Sequence, residues 1–207
     1  YIPIYELLFQ NVEHIKEWKV QDMILDLFKL NGKTAVVTGA NTGLGQGMCV
    51  ALAEAGANVV GVARRECSET KTLVEKAGGK FYEVIADLSN LSKIDEIITK
   101  SVEAFGSVDI LVNNAGVIKR QDAIEFSLEN WDVVMDPNLK TVFFLSQAAA
   151  KQMIKQGNGG KIINVASMLS YQGGIRVPAY TASKSGILGL TRALANEWAK
   201  YNININA

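Results

Sequence analysis

From Lys33 onward, short apolar runs alternate with longer stretches in which apolar residues recur every third or fourth position. Positions 34–38, 58–63, 81–86, 108–112 and 161–165 are runs rich in Val, Ile and Ala, bounded by Gly or polar residues. Such runs read as strands covered on both faces. The stretches between them read as helices over 43–55, 68–77, 91–105, 138–156 and 179–200. Ile94, Ile97, Ile98 and Val102 line one helical face and stop at Gly106, while Gly78 and Gly79 close the helix before them. Ser127, with Asn130 three residues on, has the form of a helix N-cap. Pro137 is expected to interrupt the helix begun there, because it lacks an N–H and its ring clashes with the preceding turn. Strand alternating with helix predicts βαβ units and a doubly wound parallel sheet in one α/β domain.

Both ends depart from this rhythm. Residues 1–22 mix polar and aromatic positions and lack the basic start, apolar centre and small-residue cleavage site of a secretory signal. They read as an extension ahead of a catalytic domain spanning 23–207, with Met23 a natural starting point. Residues 202–207 alternate like a strand cut short, so the domain is expected to lack its C-terminal part.

Composition narrows the function classes. The 207 residues suit one domain with a sizeable core, and 21 basic against 21 acidic residues give no field for nucleic acid or a charged membrane surface. No apolar run nears the roughly 20 residues that a membrane span needs. Cys49 and Cys67 lack metal-ligand or Cys-x-x-Cys spacing, which fits free thiols in a reducing cytoplasm, and the lone His14 lies outside every motif. No metal site is expected.

The chemistry lies at the ends of the predicted strands. Strand 34–38 runs into Thr38-Gly-x-x-x-Gly-x-Gly45, whose glycines Gly39, Gly43 and Gly45, with Asn41, Thr42 and Leu44, open a helix. Backbone N–H groups at such a helix start can take a pyrophosphate, although a tight turn alone also selects small residues. After the second strand, where a carboxylate would favour NAD, Ala63 is followed by Arg64 and Arg65. Arg64 could meet a 2′-phosphate or simply be solvated, so the choice between NAD and NADP stays open. Asp87 and Leu88, after the third strand, suit an adenine edge, with a helix-capping Asp as the plainer role. Asn113, Ala115 and Gly116, after the fourth, lie at the carboxyl edge where open α/β sheets bind ligands. Tyr180 and Lys184 are four apart and share a helix face, so the ammonium favours the phenolate of an acid/base tyrosine. Taken alone, that stretch reads better as a core tyrosine beside a solvated lysine.

Together, the glycine loop, Asn113-Asn-Ala-Gly116, Asn138, Ser167 and Tyr180-x-x-x-Lys184 resemble the classical short-chain dehydrogenase/reductases in order and spacing, from about Leu30 to Ala207. The resemblance implies a Rossmann-like fold, an NAD or NADP cofactor and hydride transfer at a CH–OH group. It also implies a site of Asn138, Ser167, Tyr180 and Lys184: Tyr180 moves the proton, Ser167 orients the substrate oxygen, Lys184 holds the nicotinamide ribose and Asn138 anchors a water path. Segments 42–48, 146–151, 156–161 and 172–178 further resemble members acting on sugar acids of the 2-deoxy-D-gluconate or 2-keto-3-deoxygluconate type. Arg176, between Ser167 and Tyr180, is then the candidate for the substrate carboxylate, with Lys119 and Arg120 opposite. A homotetramer built on helices 138–156 and 179–200 is implied as well, through residues such as Leu145, Ala149, Met153 and Trp198. A reductase of another carbonyl (gluconate 5-dehydrogenase or 3-oxoacyl type) and a non-catalytic NAD(P) sensor remain as alternatives.

Overall fold

The computed structural model describes residues 24–207, so the expected extension over 1–22 and His14 lie outside the described residues. Among the described residues six strands form one parallel sheet: β1 (Thr34–Thr38), β2 (Asn58–Ala63), β3 (Phe81–Ile85), β4 (Ile110–Asn113), β5 (Gly160–Asn164) and β6 (Ile203–Asn206). Their order across the sheet is β3-β2-β1-β4-β5-β6. Chain direction across the sheet reverses between β1 and β4, which opens a crevice above their carboxyl ends. β1 is buried at all five positions, as a central parallel strand must be.

Alternate residues of β1 enter opposite layers. Val36 joins the larger core under α3 (Ile94–Phe105), α5 (Thr141–Gln156) and α6 (Pro178–Trp198), with Ile97, Leu145 and Leu194. Ala35 and Val37 join the smaller core under α1 (Gly43–Glu54) and α2 (Ser68–Lys76), with Cys49, Cys67 and Val74. Burial pushes the Cys49 thiol up to about 12 and the Cys67 thiol to about 11, so both stay protonated at neutral pH. The predicted residues 202–207 do form a paired strand, β6 lying parallel to β5.

Three expectations change. Leu145, Ala149, Met153 and Trp198, which the sequence offers as subunit-interface surface, are buried in the larger core; Phe144 and Ile154 are the exposed apolar residues of α5. Pro137 does not interrupt the helix. Helix α4 (Leu128–Met135), capped by Ser127 Oγ accepting from Asn130 N at 3.1 Å, runs through a π turn at Asp136–Lys140 into α5. Proline fits there because it sits at the start of the wider turn, where an absent N–H removes no needed bond. The fourth strand starts at Ile110 and not at 108, because Val108 has a different partner. Val108 N donates to Gln156 Oε1 at 2.9 Å, and Gln156 Nε2 donates to Val108 O at 3.0 Å. The glutamine at the end of α5 thus takes a strand's place beside Val108.

Gln156→Ala leaves both Val108 groups without that partner and should destabilise the protein by about 1–3 kcal/mol. Urea unfolding checks it; a midpoint equal to that of the unsubstituted chain would show that water replaces the glutamine at no cost.

Candidate active site

The crest of the sheet is built on Thr38. Its buried hydroxyl donates to Val112 O at 3.3 Å and accepts from the backbone N–H groups of Asn114 and Ala115, each at 3.0 Å. Asn114 Nδ2 in turn donates to Thr38 O at 2.9 Å. One threonine therefore ties the loop after β4 to the loop after β1. Contact is so close that a Cβ on Gly45 would stand 2.1 Å from Gly39 O and 2.7 Å from Asn114 Nδ2. Gly43, by contrast, has φ 59° and open space where a Cβ would go. Thr42, the N-cap of α1, makes no side-chain cap bond, so the first N–H groups of that helix keep their donors for a ligand.

A cavity of about 560 Å³ opens over this crest. Gly39, Asn41 and Thr42 form its floor, and Arg64 and Arg65 stand at the end of β2. Asp87, Leu88, Ala115 and Gly116 complete the predicted residues found there. Its size, the uncapped helix start and the paired cations suit a dinucleotide. Asp87 Oδ1 accepts from Ser89 N at 3.0 Å and from Ser89 Oγ at 2.8 Å; with Arg64 adding a smaller effect, these bonds hold the carboxyl below its usual range. The helix-capping role belongs to Asn90, whose Oδ1 accepts from Ser92 N.

Gly116 is where the cavity meets Asn138 and Lys184, two of the residues predicted for the chemistry. A Cβ there would stand 3.2 Å from Asn138 Oδ1 and 3.7 Å from Lys184 Nζ. Lys184 is buried, donates to Val165 O and lies with Nζ 5.8 Å from the centre of the Tyr180 ring. Burial pushes its pKa below the ordinary lysine value. The Tyr180 hydroxyl has no hydrogen-bond partner among the described residues. Ser167 Oγ accepts from Leu169 N at 3.1 Å, which leaves its own O–H free to donate. A fixed ammonium, an unpartnered phenol and a donor hydroxyl above one sheet edge can exchange a proton with an alcohol or carbonyl oxygen.

Other predicted residues have different surroundings. Asn113 is buried, and its Nδ2 donates to Ser146 Oγ at 3.0 Å and Asn164 Oδ1 at 2.8 Å; Asn114 is the residue that lines the cavity. Asn138 is fully buried in the π turn. Its Oδ1 accepts from Val117 N at 2.8 Å, while Nδ2 donates to Val117 O at 2.9 Å and Ser183 Oγ at 3.2 Å. Arg176 is exposed, with φ 63°, and its Nε lies 2.7 Å from Asp122 Oδ1. Sequence reasoning missed Thr38 as the anchor, and Val117 and Ser183 as the partners of Asn138. The pairing of Thr38 with the Asn-Asn-Ala-Gly loop was a usable signal only once β1 and β4 were known to be neighbours.

Residues 33–207 match the sequence family described as short chain dehydrogenase. The 2-dehydro-3-deoxy-D-gluconate 5-dehydrogenase of Dickeya dadantii is 62% identical over 185 residues, which are 89% of this chain and 73% of that protein. An Agrobacterium tumefaciens structure with bound NADP, described as a candidate 2-deoxy-d-gluconate 3-dehydrogenase, superposes with TM-score 0.81 at 52% identity; the match covers 87% of this chain and 71% of the other. A short chain dehydrogenase of Mycobacterium paratuberculosis bound to NAD gives TM-score 0.82 at 32% identity, covering 86% and 71%.

Thr38→Val keeps the shape but removes the acceptor for two loop N–H groups. Calorimetric titration should show nicotinamide dinucleotide binding weakened about tenfold or more. An unchanged Kd would mean that the loop holds its form without Thr38.

Proposed function

The chain belongs to the short-chain dehydrogenase family and is an NAD(P)-dependent oxidoreductase acting on CH–OH groups; from that premise we propose that it interconverts alcohol and ketone on a sugar acid. The substrate class is that of 2-dehydro-3-deoxy-D-gluconate and 2-deoxy-D-gluconate. The observation that supports this reading is a set of exposed cations, Lys119, Arg120 and Arg176, on the two loops that follow Gly116 and precede Tyr180 in the chain. Arg176 lies four residues ahead of Tyr180, and its carbonyl accepts from Gln121 N at 2.9 Å. Lys119 and Arg120 are the two residues before Gln121 in the chain. The name of the 62%-identical relative supports the same class.

In this reading Tyr180 gives a proton to the substrate oxygen during reduction and removes it during oxidation, while the Ser167 hydroxyl holds that oxygen in place. A bound nicotinamide supplies or accepts the hydride. Lys184 keeps a positive charge beside the Tyr180 ring and holds the nicotinamide ribose. Its burial-lowered pKa eases handing a proton onward. Asn138 contributes through position: its amide locks the π turn beside Lys184, where a water joining the lysine to solvent would sit. Asn41, Thr42, Gly43 and Leu44 would cradle the pyrophosphate, with Gly39 and Gly45 allowing the close loop contact. Arg64 would meet the adenosine ribose or its 2′-phosphate, and Asp87 and Leu88 the adenine.

We extend the proposal to a cytoplasmic homotetramer. No described helix is long and apolar enough to cross a membrane. Phe144 and Ile154 are the apolar residues that α5 leaves exposed. Sedimentation at a monomer's mass would remove the tetramer.

Turnover of 2-dehydro-3-deoxy-D-gluconate should be visible through nicotinamide absorbance, and Tyr180→Phe should lower kcat at least about a hundredfold. Arg176→Ala should raise KM for the sugar acid about tenfold and leave a neutral keto-sugar little changed. Equal losses on both substrates would remove the carboxylate role of Arg176.

A further inference from the structure

The rim that presents Arg176 contains an acid already engaged with it. Asp122 Oδ1 lies 2.7 Å from Arg176 Nε, and both side chains are about three-fifths exposed, at 62% and 59%. An exposed pair of this kind adds little stability, and the loops do not depend on it. They are joined by Gln121, whose N–H donates to Arg176 O at 2.9 Å. The Gln121 side chain donates to Glu125 O at 2.8 Å and accepts from Asn130 Nδ2 at 2.8 Å, which ties the loop to the start of α4. The backbone geometry is thus held next door to Asp122, without its charge.

Arg176 also holds a left-handed backbone conformation, which crowds the Cβ of any non-glycine residue against its own carbonyl. Strain of this sort clusters at active sites and ligand clamps. Lys119 and Arg120, on the same loop, form no ion pair among the described residues, and neither do Glu125 and Glu129. Asp122 is therefore the acid that meets a rim cation.

We propose that Asp122 is a specificity-determining residue: an internal carboxylate that occupies Arg176 and is exchanged for the carboxylate of the incoming sugar acid. This inference rests on the sugar-acid reading above. Exchange of one carboxylate for another keeps the guanidinium paired in both states, so Arg176 never lacks a counter-charge. A neutral sugar offers nothing to displace Asp122 and gains nothing from Arg176. The exchange therefore raises the barrier to binding acids modestly while keeping the guanidinium pointed along the rim.

The test is Asp122→Asn, near-isosteric and on the surface, assayed with 2-dehydro-3-deoxy-D-gluconate and a neutral keto-sugar. The ratio of KM for the acid to KM for the neutral sugar should fall about two- to five-fold, the range of an exposed ion pair. In an Arg176→Ala background the same substitution should no longer change the ratio, because the competition runs through that guanidinium. A ratio that is unchanged or rises, or a fall that persists without Arg176, would overturn the exchange while leaving the sugar-acid function standing. Absence of turnover of any sugar acid by the unsubstituted protein would overturn both.

Discussion

The close approach of two loops at the carboxyl edge of the sheet is the constraint on which the rest depends. Thr38 ends the central strand and satisfies the first two N–H groups of the loop after β4. That pairing requires Gly39 and Gly45 to carry no side chain, because atoms of the other loop or of the turn itself occupy the space. The glycine loop is usually explained by what it leaves free for a phosphate. Here it is explained as strongly by protein packing: of its three glycines, Gly43 alone faces open space. The glycine loop and the loop that carries Gly116 are thus packed as one unit.

A second device recurs through the molecule. Where the sheet runs out, side-chain amides take the place of a neighbouring strand. Gln156 gives both halves of its amide to Val108 at the lower edge. Asn138 does the same for Val117 at the upper edge. Between them the buried Asn113 and Asn164 bond to each other and onward to Ser146 and Thr191. Each buried polar group is costly unless paired, and each of these is paired. Segment 114–121 is held from two sides, by Thr38 at Asn114 and Ala115 and by Asn138 at Val117. That segment connects the cavity, through Gly116, to the rim at Gln121.

The π turn at Asp136–Lys140 arises from the same need. The helix widens there, and within the wider turn Asn138 meets both Val117 and Ser183. The extra residue in the turn brings the amide inward, and Pro137 sits where its missing N–H does no harm. Irregular turns of this kind are common at functional sites, because they re-aim a side chain that a regular helix would point elsewhere. Lys184, one residue beyond Ser183, is thereby kept in a buried position with its carbonyl partner on the strand end.

How much of this could be read from the residues depended on range. Periodicity and Gly breaks are local, so the alternating elements, the single α/β domain and the helix face shared by Tyr180 and Lys184 came from sequence alone. So did the order of motifs at the strand ends, since parallel strands put every such end on one edge. Direction of side chains did not. Asn113 and Asn114 are adjacent and chemically identical, yet one is buried in a polar network and the other lines the cavity, because successive residues of a strand end face opposite ways. Leu145, Ala149 and Met153 look like spare apolar surface until the sheet is laid beneath them. Asp122 and Arg176 are 54 positions apart (176 less 122) and meet only because Gln121 is bonded to Arg176. The chain by itself determined which elements form and which chemical groups reach the carboxyl edge. The tertiary structure decided which of those groups line the cavity and which hold the frame, since that choice is made by contacts between residues far apart in the chain.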